Sequence, residues 1–230
     1  MDTNQKKEEL NQADIEKEIR LAQAENRNAN FEGKTLASFS LLENEIRMGL
    51  NLKNTIISGS VSLGDTVIEG DLVLEGSIIN GLLYLGGARI KGTLKLQRAK
   101  VGGVVNLVGV TIGGEVLSQG LDVGGFISLS KSKIGGDINL QKVVTKSLEH
   151  EGMVIRGDVL LDFATIGGSV ILEEAVIDGM LNLKNAIIGG SLELNRSRVE
   201  GLLILNEATI RGDTNLEEAK FEEIIRHFHA

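Results

Sequence analysis

Residues able to do acid–base or metal chemistry are few and scattered in this 230-residue chain. His150 stands between Glu149 and Glu151, an arrangement in which a carboxylate could orient an imidazole for proton transfer. His227 and His229, two residues apart, are the remaining imidazoles, and neither has a clustered carboxylate or thiolate to complete a metal shell. Cysteine is absent, which removes thiol nucleophiles, disulfides and Cys metal sites. There is no Ser-His-Asp ordering, no nucleophile elbow and no HExxH. Gly-Gly pairs such as Gly113-Gly114 and Gly189-Gly190 lack the GK[ST] context of a phosphate loop. The sequence therefore reads as non-enzymatic, with no cofactor and no bound metal. Glu149, His150 and Glu151 are candidates for an exposed recognition loop.

The elements that would position such residues follow from a repeat. From Asn44 to Glu218 the chain obeys an eleven-residue rule, small-x-Ile-x-Gly-x-Leu-x-Leu-x-x, seen plainly in "ATIGGSVILEE" (164–174) and "AIIGGSLELNR" (186–196). Fifteen units fit if 143–152 is set aside. All fifteen have Ile or Val at position 3, fourteen have Gly at position 5 (Met48 is the exception), and fourteen have Leu at position 9 (Ser118 is the exception). Positions 1, 3, 7 and 9 are apolar or small between mostly polar neighbours, the period-two signature of strands. Each unit is thus two short strands and two corners, with Gly at position 5 expected to supply one corner by its tolerance of unusual backbone angles.

Position 6 sets the length of a coil. From Thr66 onward it reads Asp71, Leu82, Thr93, Val104, Glu115, Phe126, Asp137, alternating polar and apolar, so two units make one 22-residue coil. About 7.5 such coils at the ~4.8 Å strand spacing give a rod roughly 36 Å long. After the break the series runs Asp158, Ser169, Met180, Ser191, Leu202, Asp213. Removing 143–152 as an extruded loop, with Met153 following Lys142, restores the phase and leaves only Asp158 out of place. It also removes Glu149 and Glu151 from inward positions where unpaired charge is costly. Leu82, Val104, Phe126, Met180 and Leu202 then form one apolar corner stripe, a candidate interaction surface.

The expected fold class is all-β: a parallel β-helix of 11-residue units, two per coil. It would have an N-terminal charged helix over 1–28, the solenoid over 29–218 and a C-terminal capping helix over 219–230. In "NQKKEELNQADIEKEIRLAQAENRN", Ile15, Ile19 and Ala22 share one weakly apolar helical face. "ANFEG" (29–33) echoes positions 1 to 5. In "KFEEIIRHFHA", Phe221, Ile224, Ile225 and Phe228 have amphipathic helix spacing and predict a lid on the last coil.

The small-x-Leu/Phe-like pairs between corners, "AIIGG" followed by "SLELN", resemble the pentapeptide-repeat class of bacterial β-solenoids, over about 29–221. The spacing here is 5+6 where that class has 5+5. The chain is also similar to bactofilins, β-helical cytoskeletal polymers, in its I-x-G-x-L steps. Neither resemblance implies a catalytic residue. The near-total commitment of the sequence to repetition, with the apolar stripe, points to a structural or scaffolding solenoid that presents faces and ends for self-assembly or partner binding. The alternative, implied by the resemblance to pentapeptide-repeat proteins that imitate DNA, is an acidic decoy that binds a topoisomerase or another nucleic-acid-binding protein. Asp71, Glu115 and Asp137 begin a carboxylate row, which Thr93, Lys91 and Lys95 interrupt.

Composition agrees. Hydrophobic content is 42% with 3% aromatic, so Ile, Leu and Val must fill the core. Net charge is −8 with both signs interspersed, which argues against direct nucleic-acid binding. There is no apolar signal region or 18-residue apolar run, and the expected location is the cytoplasm. The expected partners are another protein or a second copy.

Overall fold

The computed structural model describes residues 9–146, 148–150, 153–155 and 157–226, with backbone alone at 148–150 and 153–155. The chain winds as a parallel β-solenoid of four sheets, faces I to IV in path order, with nine, nine, eight and nine strands. One coil runs Ile56–Ile57 (face I), Val61–Ser62 (face II), Val67–Ile68 (face III), Leu72–Val73 (face IV). The next coil pairs in register: Ile57 with Ile79, Val61 with Leu83, Ile68 with Ile90, Leu72 with Leu94. The 22-residue coil thus has a four-sided cross-section, and about nine turns give a rod roughly 40 Å long.

Positions 1, 3, 7 and 9 point inward. In the coil above, Ile57, Val61, Leu63, Thr66, Ile68, Leu72 and Leu74 are all fully buried. β-Branched residues at position 3 suit these pleated two-residue strands. Two polar residues at position 1 bond locally, the Thr55 and Ser77 hydroxyls donating to the Leu52 and Leu74 carbonyls, each at 2.7 Å, whereas the buried Ser132 and Ser197 hydroxyls have no partner.

The corners invert the expected role of glycine. Left-handed backbone falls at position 11, where Asn54 has φ 54°, Arg98 57° and Gly109 68°. Position-5 glycines are not left-handed there. A Cβ at Gly92 would lie 2.8 Å from the carbonyl carbon of Gly70 in the coil before, and one at Gly70 would lie 2.7 Å from the Gly49 nitrogen. Position 5 is Gly because successive backbones touch at that corner.

The break differs from expectation in its boundaries. Val143 is buried at position 1, and Val144–Thr145 is a regular face I strand between Asp122–Val123 and Val176–Ile177. The coil resumes at Gly157, and Val159–Leu160 continues face II. The insertion is therefore 147–156, and Met153 does not follow Lys142 in the coil. Its length is still ten, so partners across it lie 32 apart, as Asp137 and Ser169 do. "VVTK" and "MVIR" both fit positions 1 to 4, and the better consensus match is the one extruded. "ANFEG" likewise sits at positions 7 to 11, since Ala29 pairs with Leu50 and Gly33 takes φ 68°.

The two ends are unlike. The helix Gln12–Ala24 (α1) starts at a capping box, Asn11 with Asp14, and buries Ile15, Ile19 and Ala22 on the first coil. Below it, Phe31 and Phe39 meet edge to face at 5.3 Å. No C-terminal helix forms over the described residues. Glu223–Ile225 is a strand that extends face II beside Leu202–Ile204. Parallel pairing overrides the helical spacing, because Ile224 continues the inward register of Leu203. Phe228 lies outside the described residues.

Candidate functional site

Two corners of the rod are built from position 6, and they are built differently. At the corner between faces III and IV the residues are polar, and most of them serve the backbone of the coil above. The Thr93 amide donates to Asp71 Oδ1 at 2.9 Å, Ser169 to Asp137 Oδ1 at 2.7 Å, Ser191 to Ser169 Oγ at 3.0 Å, and Asp213 to Ser191 Oγ at 3.1 Å. This ladder answers position-6 amides that the sheets leave unpaired.

Between faces I and II lie Leu82, Val104, Phe126 and Met180, each just before a face II strand, and Leu202, which opens one. They carry no oxygen to offer the amide one coil above. Only Ser60 and Asp158 do so, accepting from Leu82 at 3.1 Å and from Met180 at 2.8 Å. Asp158 is thus a working rung of this corner. Leu82 is 38% exposed and the other four are half-buried.

The insertion leaves the rod at this same corner, between Lys146 and Gly157. Leu148–His150 pairs antiparallel with Met153–Ile155, placing Glu149 opposite Val154 and His150 opposite Met153. Glu151 lies outside the described residues. Buried Thr145 closes the neck: its hydroxyl donates to the Gly157 carbonyl at 2.5 Å and accepts from the Asp178 amide at 3.3 Å. The recognition-loop candidates and the apolar stripe therefore share one corner, with the hairpin splitting the stripe between Phe126 and Met180.

Face II adds apolar residues that the repeat rule does not mark. Leu160 and Ile204 are half-buried at outward position 8, and Phe163, at 51% exposure, occupies a position-11 corner. The signal for them was present, as apolar side chains at positions that elsewhere hold Asn, Ser or charge.

Ser128, Ser130 and Asp162 form a chain of hydroxyls ending on a carboxylate, with Ser130 Oγ donating to Asp162 at 2.6 Å. Among the described residues no group of three His, Asp or Glu could hold a metal ion. His227 and His229 lie outside them.

Several carboxylates of the outer faces are matched by cations one coil away. Asp71 pairs with Lys95 at 2.7 Å. Burial pushes its carboxyl up, but the Lys95 ammonium and the Thr93 amide outweigh this and hold it below the usual range. Glu75 is held low mainly by Lys53, with Arg98 assisting, and Glu174 mainly by Lys142, with Arg196 assisting. Such exposed pairs stabilise little, but they interrupt any continuous acidic row.

No family model matches this chain, and no curated protein or solved structure matches it. No helix among the described residues is long and apolar enough to cross a membrane.

Proposed function

We propose that this chain is a non-enzymatic scaffolding solenoid that binds a protein partner along the corner between faces I and II. One observation carries this reading. The III/IV corner shows that polar residues at position 6 bond the coil above, yet the I/II corner replaces most of them with Leu, Val, Phe and Met. Forgoing those bonds costs on the order of 1 kcal/mol per rung. An apolar stripe maintained against that cost, beside a projecting hairpin, fits a surface that buries apolar area against a partner. The recognised partner surface would be apolar along the stripe, with polar groups meeting the hairpin.

The acidic-decoy reading is less well supported. It needs unanswered carboxylates in register, whereas Asp71, Glu75 and Glu174 have cations beside them and Asp71 and Asp137 spend an oxygen on backbone amides.

The test is site-specific photo-crosslinking in cells, with the reactive side chain placed at Val104, Phe126 or Met180 and, as controls, at Thr93 or Ser191. A discrete adduct from the first set alone, lost when Leu82→Asp is added, supports the reading. Equal adducts from both corners, or none from either, contradict it.

A further inference from the structure

The residues that fill face I before the insertion have near-copies inside it. Val143, Val144, Thr145 and Lys146 occupy positions 1 to 4 of a coil, and Met153, Val154, Ile155 and Arg156 repeat their character ten residues later. Val143 and Thr145 are buried, and Val144–Thr145 pairs with Asp122–Val123 on one side and Val176–Ile177 on the other. Met153–Ile155 is a strand as well, paired with Leu148–His150 in the projecting hairpin.

Each replacement keeps what the coil needs. An apolar residue fills position 1 in both segments, and Val fills position 2. At position 3 the neighbouring coils carry Val123 and Ile177, which Ile155 matches better than Thr145 does. Thr145 holds its place through its hydroxyl, which donates to the Gly157 carbonyl and accepts from the Asp178 amide. At position 4 Lys146 pairs with Asp122 at 2.7 Å, and Arg156 brings the same charge when it fills that place. Asp178, at position 4 of the coil above, adds a second carboxylate that favours a cation there.

Lys142 and Gly157 bound the choice. Lys142 turns the corner into face I with φ 56°, and Gly157 opens the corner out of it. Fourteen residues lie between them, of which the coil takes four, so either segment can lie on face I with ten left over. The flanking coils keep their register in both cases, Ile138 with Val170.

We infer that the two segments exchange on face I, and that the exchange switches the I/II corner. With VVTK in the coil, the spare residues leave at the I/II corner, between Phe126 and Met180 of the stripe. With MVIR in the coil, residues 143–152 leave instead at the IV/I corner, on the far edge of face I, and the hairpin loses its Met153–Ile155 strand. A partner that needs stripe and hairpin together binds the first state better and so holds it. The exchange stands on the pairing and the sequence, whereas its effect on recognition rests on the corner reading proposed above.

Thr145→Asp tests the exchange, because a carboxylate is costly inside the coil and harmless in an extruded segment. The natural chain has no cysteine, so single introduced thiols report on each segment. In the Thr145→Asp background, Val143→Cys should label at least about tenfold faster than in the natural one, and Ile155→Cys at least about tenfold slower. Ile155→Asp alone should leave urea unfolding nearly unchanged. The combined variant has no apolar residue left for position 3, and its folding equilibrium constant should fall at least about tenfold beyond the product of the two single effects. Faster labelling of both thiols in Thr145→Asp shows a strand that opens with no replacement and overturns the exchange. So does a Val143 thiol that stays protected, or a Thr145→Asp variant as unstable as the combined one. Photo-crosslinking from Phe126 reads the switch: the adduct of the intact chain should fall at least about tenfold in Thr145→Asp. An undiminished adduct from a chain whose thiols show the exchange overturns the switch. An adduct absent from the intact chain removes the corner reading and the switch with it, while the thiols still decide the exchange.

Discussion

The Gln23 side-chain amide donates to the Glu45 carbonyl at 2.8 Å, standing where a preceding coil would have paired with the face III edge. Gln12 does the same for the Ser40 carbonyl on face II at 2.9 Å. Glu18 accepts from the Asn30 amide on face IV at 3.1 Å, and Glu9–Leu10 pairs with Thr35–Leu36 on face I. One helix and one short strand thus close all four edges at this end. An exposed strand edge is a template for another chain, and this closure removes that template at the first coil.

Removing one of these bonds should weaken the cap without unfolding the rod. Gln23→Ala is expected to lower stability by about 1 kcal/mol and to speed amide exchange around Glu45 before the central coils respond. Native-state hydrogen exchange reads both effects.

Glycine at position 5 is there for contact and glycine at position 11 for backbone angle, which gives opposite outcomes. Gly92→Ala forces a methyl against Gly70 and should cost about 1–3 kcal/mol. Gly109 has open space around it and φ 68°, and Asn54 and Asn185 take the same role at φ 54° and 56°. Gly109→Asn should change the melting midpoint by little. Thermal unfolding of the two variants makes the comparison.

Much of this architecture can be read from the repeat. Ile or Val at position 3 and Leu at position 9 dictate inward strands, and alternation at position 6 dictates the 22-residue coil. Three features escaped, each for a local reason. "VVTK" and "MVIR" are near-equivalent fillings of the same four positions, so only pairing to the coils on either side chooses between them. Phe221, Ile224 and Phe228 have helical spacing, yet Ile224 also continues the inward register of face II, and a ready strand edge wins. The cap on α1 was hidden because it works through Gln12, Glu18 and Gln23, polar residues whose value lies in reaching strand-edge backbone. At the candidate site the stripe was legible as a periodic anomaly. Its cost was not, because the amide ladder of the opposite corner appears only in three dimensions.

The insertion should be dispensable for folding. Joining Lys146 directly to Gly157 recreates an eleven-residue unit, VVTKGDVLLDF, on both flanking coils. The shortened chain is expected to melt as cooperatively as the intact one, at an equal or higher temperature because a ten-residue loop no longer has to be closed. Loss of partner crosslinking from Phe126 in this chain would tie the hairpin to recognition.

The cap should loosen in acid. Glu18 is held below its ordinary value of 4.5 chiefly by its hydrogen bond to Arg27, with burial opposing and the Asn30 amide assisting. A carboxyl lowered in the folded state contributes stability that is full above the unfolded value and lost as pH falls through the folded one. The stability difference between the intact chain and Glu18→Gln should therefore be largest near neutral pH and shrink as pH falls below about 4.5. Urea unfolding at several pH values measures it.

The most direct measurement of the central claim, that the apolar I/II corner is a docking surface, is photo-crosslinking in cells from Phe126 compared with Ser191 on the opposite corner. The account predicts a discrete adduct from Phe126 and none from Ser191. Adducts of equal yield from both positions, or no adduct from Phe126 in the folded protein, would contradict it.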